Sequence, residues 1–172
     1  MQILYVLLVT FFAGMGAGLG TGFAGMSAAA VISPMLITFL GMDPYMAVGI
    51  ALSSDVLASA VSAYTYHKNK NLDVKNGLIM MASVLGYELK TAVGTSVFIM
   101  TFTALTGAVS HFAIGGAPDW PVFALCVLFT LLWARIAAVF ANKADAKTLN
   151  RATGIVLVVL GIVVMGFNLL TK

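Results

Sequence analysis

Charge, cysteine and histidine are all scarce in this chain, and each scarcity removes a class of function. Only 9% of the 172 residues are charged against 61% apolar, and the mean hydropathy is +1.04. No water-soluble domain of this length can cover so much apolar side chain, so the chain reads as an integral membrane protein. The single cysteine, Cys126, excludes an internal disulfide and a cysteine metal cluster, and its expected place is a small buried apolar position. His67 and His111 have no second ligand at metal spacing, so no metal is expected, and nothing calls for a cofactor. No nucleophile, base and orienting group stand together and no GxxxxGK loop occurs, which argues against an enzyme and against a nucleotide site. The formal charge of +3 lies in short loops, where it reports membrane orientation and gives no footprint for nucleic acid.

No linker or change of composition interrupts the apolar runs, so residues 1–172 read as a single transmembrane domain. The opening MQILYVLLVTFF has neither a basic n-region nor a small-residue cleavage site and reads as a first transmembrane helix. Apolar runs cover residues 3–24, 28–41, 45–66, 77–85, 89–114, 121–141 and 152–170. At 1.5 Å per residue the run 28–41 is only about 20 Å long and 77–85 is shorter, against a hydrocarbon core about 30 Å thick. Gly41, Asp43 and Pro44 mark a turn, with Asp43 suited to cap the helix that Pro44 begins. HKNKNLDVKN carries Lys68, Lys70 and Lys75, and NKADAKTLNR carries Lys143, Lys147 and Arg151, two cytoplasmic signatures. An even number of crossings must separate them, which again excludes 77–85 as a span. The expected fold is all-α and polytopic, with about five transmembrane helices plus a glycine-rich broken-helix hairpin. The side of the N-terminus stays open, because it depends on whether the hairpin crosses or re-enters.

Glycine is abundant instead, with 17 residues, and six fall in the first dozen positions of GMGAGLGTGFAGMSAAAVISP at 14–34. Gly14 and Gly18 have the small-xxx-small spacing that lets a neighbouring backbone approach. From 20 to 27 the residues favour an unwound backbone, and Pro34 removes a donor from the helix that follows. Irregular backbone at membrane depth is tolerated where it is buried in protein or lines a wet cavity, and transporters build substrate sites from such broken helices. A glycine-rich packing seam is the other reading of the same residues.

Shifted by 45 residues, GMDPYMAVGIALSS at 41–54 lies over GYELKTAVGTSVFI at 86–99, with Asp43 over Glu88 and Gly49 over Gly94. The repeat copies run approximately over 41–85 and 86–130. AVG is followed by Ile50-Ala51 in the first copy and by Thr95-Ser96 in the second, so the hydroxyl pair belongs to one copy only.

Asp55 stands about ten residues into its helix, roughly 15 Å deep, where a carboxylate is a functional hypothesis by default. Ser59, Ser62 and Tyr66 continue its helical face as a polar stripe. Proton coupling or gating is one reading of Asp55, and a protonated acid bonded to Ser59 or a carbonyl is the other. Ser96, Thr103, Thr106 and Ser110 offer hydroxyls suited to an oxyanion, unless each bonds a carbonyl one turn back. Arg135 can snorkel over about 9 Å to the cytoplasmic surface or attract an anion.

GxGTGFAGMS at 18–27 with Pro34, GMDPYMAVGIALSS at 41–54, AVGTS at 92–96 with GAVSHFAIGGAPDW at 107–120, and the tail at 134–162 together resemble the TauE/SafE family of membrane transporters. Characterised members of that family are associated with export of sulfite and organosulfonates. The resemblance covers nearly the whole chain, but the family usually carries the glycine-rich hairpin twice and here the second copy is absent. Phe129 and Trp133 replace a glycine-spaced seam and should prevent close helix approach. The resemblance does not supply an acid at Asp55.

It implies a secondary transporter of the cell membrane, with a bacterial inner membrane as the expected location, that exports small anions such as sulfite or organosulfonates. The expected substrate-binding residues are Thr21, Gly22, Phe23, Gly25, Ser27, Gly94, Thr95 and Ser96, with Asp55 in coupling or gating. Expected partners are a small anionic substrate, the lipid bilayer and a second copy in a homodimer that replaces the missing helices. The alternative is a non-transporting membrane protein, a degenerate internal-deletion derivative or a subunit of a larger assembly.

Overall fold

In the computed structural model, which describes residues 2–73 and 89–170, every regular element is a helix. These are α1 (Gln2–Ala24), α2 (Ala29–Leu40), α3 (Pro44–Lys68), α4 (Leu89–Gly115), α5 (Trp120–Lys143) and α6 (Ala146–Leu170). Four of them, α1, α3, α4 and α5, are long and apolar enough to cross a membrane, whereas α2 is a short apolar helix. The expected fifth span, 152–170, lies within the 25 residues of α6. The protein is thus a polytopic membrane protein. The run 77–85, Lys75, Glu88 and the join between the two repeat copies lie outside the described residues.

Two turns share one chemistry. Asp43 caps α3 by accepting from the Met46 N–H at 3.1 Å, with Pro44 opening the helix. Asp119 caps α5 by accepting from the Val122 N–H at 3.3 Å, with Pro121 in its first turn. Gly41 ends α2 with φ +61°, a left-handed conformation that glycine adopts without strain.

α1 lies against α5 along a stripe of glycines one helical turn apart. A Cβ on Gly14 would stand 2.6 Å from Phe129 Cβ, one on Gly18 2.6 Å from the Ala134 nitrogen, and one on Gly22 2.5 Å from Ala137 Cβ. All three distances are impossible for real side chains, so the contact exists only because these positions lack one. Phe129 and Trp133 therefore do not hold the helices apart, contrary to the sequence expectation. The room comes from α1, and both rings turn aside to meet Phe11 edge-on at 5.2 and 6.1 Å. Below this seam, Ile32 and Leu36 of α2 pack with Ile50 of α3 and the buried Cys126 of α5.

The ends of the bundle can be told apart by their contacts. Tyr5 donates to the Phe39 carbonyl at 2.8 Å, and Tyr5, Asp43 and Asp119 line one cavity, so the start of α1, the end of α2 and both acidic turns share an end. At the other end Asn71 donates to Asn142 at 2.7 Å and Lys90 to the Asn142 carbonyl at 3.1 Å, beside Lys68 and Lys143. With the basic end cytoplasmic, the N-terminus is outside. The α1 and α2 pair enters from that side and returns to it.

Gly49 on α3 approaches Phe112 and His111 of α4, while a Cβ on Gly94 of α4 would stand 2.9 Å from Tyr66 Cβ of α3. Each of the two sequence-matched glycines thus faces the other's helix.

Candidate functional site

The break between α1 and α2 is short. α1 stays wound through Ala24, residues 25–27 are irregular, and α2 begins at Ala29. The expected unwinding from residue 20 is corrected here, because the hydrogen-bond ladder holds to the end. Gly25 N–H reaches the Thr21 carbonyl at 3.0 Å, Met26 N–H reaches that of Gly20 at 3.3 Å, and the Thr21 hydroxyl donates to the Met26 carbonyl at 2.9 Å. Gly25 makes the reversal with φ +64°.

At the tip, the Ser27 hydroxyl does two things. It accepts from the Ala29 N–H at 3.2 Å, satisfying a first-turn donor of α2, and it donates to Asp55 Oδ2 at 2.6 Å. Asp55 is 1% exposed, and its Oδ1 has no hydrogen-bond partner among the described residues. The Ala28 backbone amide faces the same carboxylate. A side-chain carboxylate from α3 therefore sits at the positive N-terminal end of the half-length helix α2, about 17 Å along α3 from Pro44. Behind it, Ser59 donates to the Asp55 carbonyl, and the Thr101 hydroxyl of α4 lies 3.1 Å from that of Ser59. Ser62 is fully buried, and its hydroxyl has no partner among the described residues. Tyr66, at the end of the stripe, donates to the Gly22 carbonyl at 2.8 Å.

α4 meets the tip at Ser96 and at the Val93 carbonyl. The Ser96 hydroxyl donates to the Gly25 carbonyl at 3.3 Å, and a Cβ on Gly25 would stand 3.2 Å from Ser96 Cβ.

The structure brings Gly25, Ser27, Asp55 and Ser96 to one junction, with Thr21 bonded inside the tip. Other candidates serve neighbouring contacts. Gly22 faces Ala134, Ala137 and Ala138 of α5, and Phe23 lies 5.8 Å from the Phe140 ring. Gly94 faces Tyr66 and Asn71, and buried Thr95 accepts from the Asp73 N–H at 3.4 Å. Thr103, Thr106 and Ser110 are exposed, and each donates to a carbonyl of its own helix at 3.1, 3.0 and 2.9 Å. Their face of α4 points out of the bundle. Sequence reading missed Thr101 and the bond from Tyr66. The signal for Tyr66 was present, since a phenol buried in an apolar bundle needs an acceptor.

Among the described residues no group of three or more histidine, cysteine or carboxylate side chains could hold a metal. In comparison with known proteins, the model of the family described as sulfite exporter TauE/SafE matches the sequence twice, over residues 10–86 and 77–164. No curated protein and no solved structure matches it.

Proposed function

We propose an anion-transport function from one premise: the chain belongs to the sulfite exporter TauE/SafE family, whose model matches run from residue 10 to residue 164. It is therefore a multi-pass protein of the cell membrane in a family of transporters, not of enzymes. In our reading it is a secondary exporter of small oxyanions, of which sulfite and organosulfonates are the class the family name suggests.

The observation that carries the reading is the carboxylate of Asp55 against the start of α2, bonded to Ser27 at 2.6 Å. The N-terminus of a half-length helix is an anion seat, because its first N–H groups have no helical acceptor and the helix dipole favours negative charge. Transporters with broken helices use such ends to hold anionic groups of substrates. Here the seat is taken by the protein's own anion. A sulfite or sulfonate, which offers only acceptors, competes for Ser27 and for the amides beside it. Protonation of Asp55 removes the competing charge, so uptake of a proton and seating of the anion go together. Release of the Ser96 bond to Gly25 lets the tip move with its load. Among the described groups, the Ser27 hydroxyl and the Ala28 amide face the Asp55 carboxylate and the Ser59 hydroxyl its backbone carbonyl, and the next titratable side chain on its face of α3 is Tyr66.

A homodimer belongs to this reading. Most of α4 is uncovered, with Phe102, Leu105 and Val109 exposed, and a second copy related by a two-fold axis would supply helices where the family carries its second hairpin. The same bare face favours the rival reading, a non-transporting subunit that packs on a longer partner. Efflux of sulfite from proteoliposomes holding only this chain separates the two. Activity supports the exporter, and no activity from well-folded protein supports the rival.

A further inference from the structure

At the basic end of the bundle, α3 and α5 leave between them a groove of about 480 Å³, lined by Val61, Tyr64, Thr65, Lys68, Asn69, Arg135 and Val139. Val61, Tyr64, Thr65 and Lys68 fall at helical spacing on one face of α3, as do Arg135 and Val139 on α5. Arg135 lies eight residues before Lys143, about 12 Å inside the helix end, and it is exposed. Among the described residues neither Arg135 nor Lys68 makes an ion pair. Two cations at interface depth, with no carboxylate paired to them among the described residues, are costly unless a counter-ion reaches them.

The groove is amphipathic along the membrane normal. Lys68 and Asn69 stand at its cytoplasmic end and Arg135 about 12 Å inside, one turn deeper than Val139, while the deeper end is walled by Val61 and continues onto Leu57 and Leu132, both about half exposed. A free anion would match the cations alone. An anionic phospholipid matches the cations and the apolar wall together, with its phosphate between Lys68 and the long side chain of Arg135, which can reach toward the interface, and an acyl chain along Val61, Leu57 and Leu132. Basic pockets between transmembrane helices on the cytoplasmic side have this chemistry. We propose that the groove between α3 and α5 is a binding site for the headgroup of an anionic phospholipid, with Arg135 and Lys68 as its phosphate ligands. The site is independent of the hairpin tip, so it stands or falls apart from the transport reading.

The test uses the full chain in a neutral detergent, with phosphatidylglycerol or phosphatidylcholine of equal chain length titrated in and bound lipid counted by native mass spectrometry. Phosphatidylglycerol should bind at least about tenfold more tightly, and Lys68→Gln and Arg135→Gln should each lose about fivefold, the contribution of one basic side chain at a membrane surface. Arg135→Lys should keep most of the preference. Lys143→Gln and Lys147→Gln change exposed cations of the same surface outside the groove, and should leave it unchanged. Equal binding of the two lipids would overturn the site. So would an equal loss in the control variants, which would mean diffuse surface attraction. Displacement of phosphatidylglycerol by the same concentration of inorganic phosphate would mean a free-anion site and would also overturn the lipid assignment.

Discussion

Ser27 and Asp55 stand 28 positions apart in the chain and share a 2.6 Å hydrogen bond that ties the hairpin tip to the middle of α3. Each side chain answers a need of the other's backbone or charge, because Ser27 also caps α2 and Asp55 finds in it a donor at membrane depth.

Loss of one member of this pair should cost more than loss of both. Ser27→Ala leaves Asp55 without a hydroxyl donor and α2 without its cap, a destabilisation of about 1–3 kcal/mol. In the background of Asp55→Leu, which has no oxygen to satisfy, the same change should cost only the cap, about 1 kcal/mol. Unfolding in mixed micelles of the two single variants and the double variant gives the coupling. Additive losses would mean that the bond contributes nothing to holding the tip.

The seam between α1 and α5 should be intolerant of any added side chain. Gly18→Leu places its Cβ and beyond into the Ala134 and Thr130 backbone, so the helices must separate. Overpacking of this sort costs typically about 1–3 kcal/mol or more. Gly154→Leu, a glycine with open space around it, is the matched control and should be close to neutral. Equal melting temperatures for the two variants would contradict the packing described.

Ser96 and Thr95 are adjacent hydroxyls with separate expected effects. Ser96→Ala removes the bond to Gly25 and should change transport or anion affinity with little loss of stability. Thr95→Val removes the acceptor of the Asp73 N–H and should lower stability by about 1 kcal/mol while leaving affinity near wild type. Isothermal titration and thermal unfolding of both variants check this, and an exchange of the two phenotypes would reverse the assignment.

Topology follows from the bundle ends. With Cys126 replaced by serine, a cysteine at Asn69 or Asn150 should react with an impermeant maleimide only from the cytoplasmic side, and one at Gly116 only from outside. A matching pattern at Asn69 and Gly116 would contradict the orientation.

Much of this was legible in the sequence, and the limits have physical causes. The run of Asp55, Ser59, Ser62 and Tyr66 reads as one face because helical spacing alone decides it, and all four are buried. Asp43 and Pro44 read as a cap because their chemistry is local. Glycine is ambiguous, since the same missing Cβ serves a left-handed turn at Gly25 and close packing at Gly22 and Gly94, and only the neighbouring helix tells which. The rotation of α4 was also hidden. An apolar helix facing lipid on one side and protein on the other has no strong polarity difference to fix its register, so Thr103 and Ser110 looked as suitable as Ser96. The side of the N-terminus depended on the return of α2 to Tyr5, a contact across 34 positions that no local pattern announces.

The central claim is that Asp55 competes with the transported anion for the start of α2. It is tested most directly by the affinity for methanesulfonate, an organosulfonate that stays ionised throughout the range, measured in micelles from acid to alkaline pH for the unmodified chain and for Asp55→Asn. The neutral amide keeps an acceptor for Ser27 but carries no charge and cannot titrate. The account predicts that binding to the unmodified chain tightens as pH falls, whereas Asp55→Asn binds at every pH as the unmodified chain does in acid. The gap at alkaline pH should be roughly tenfold or more, the effect of about 1.4 kcal/mol. Asp55→Asn with the same pH dependence as the unmodified chain, or with weaker binding at alkaline pH, would contradict it.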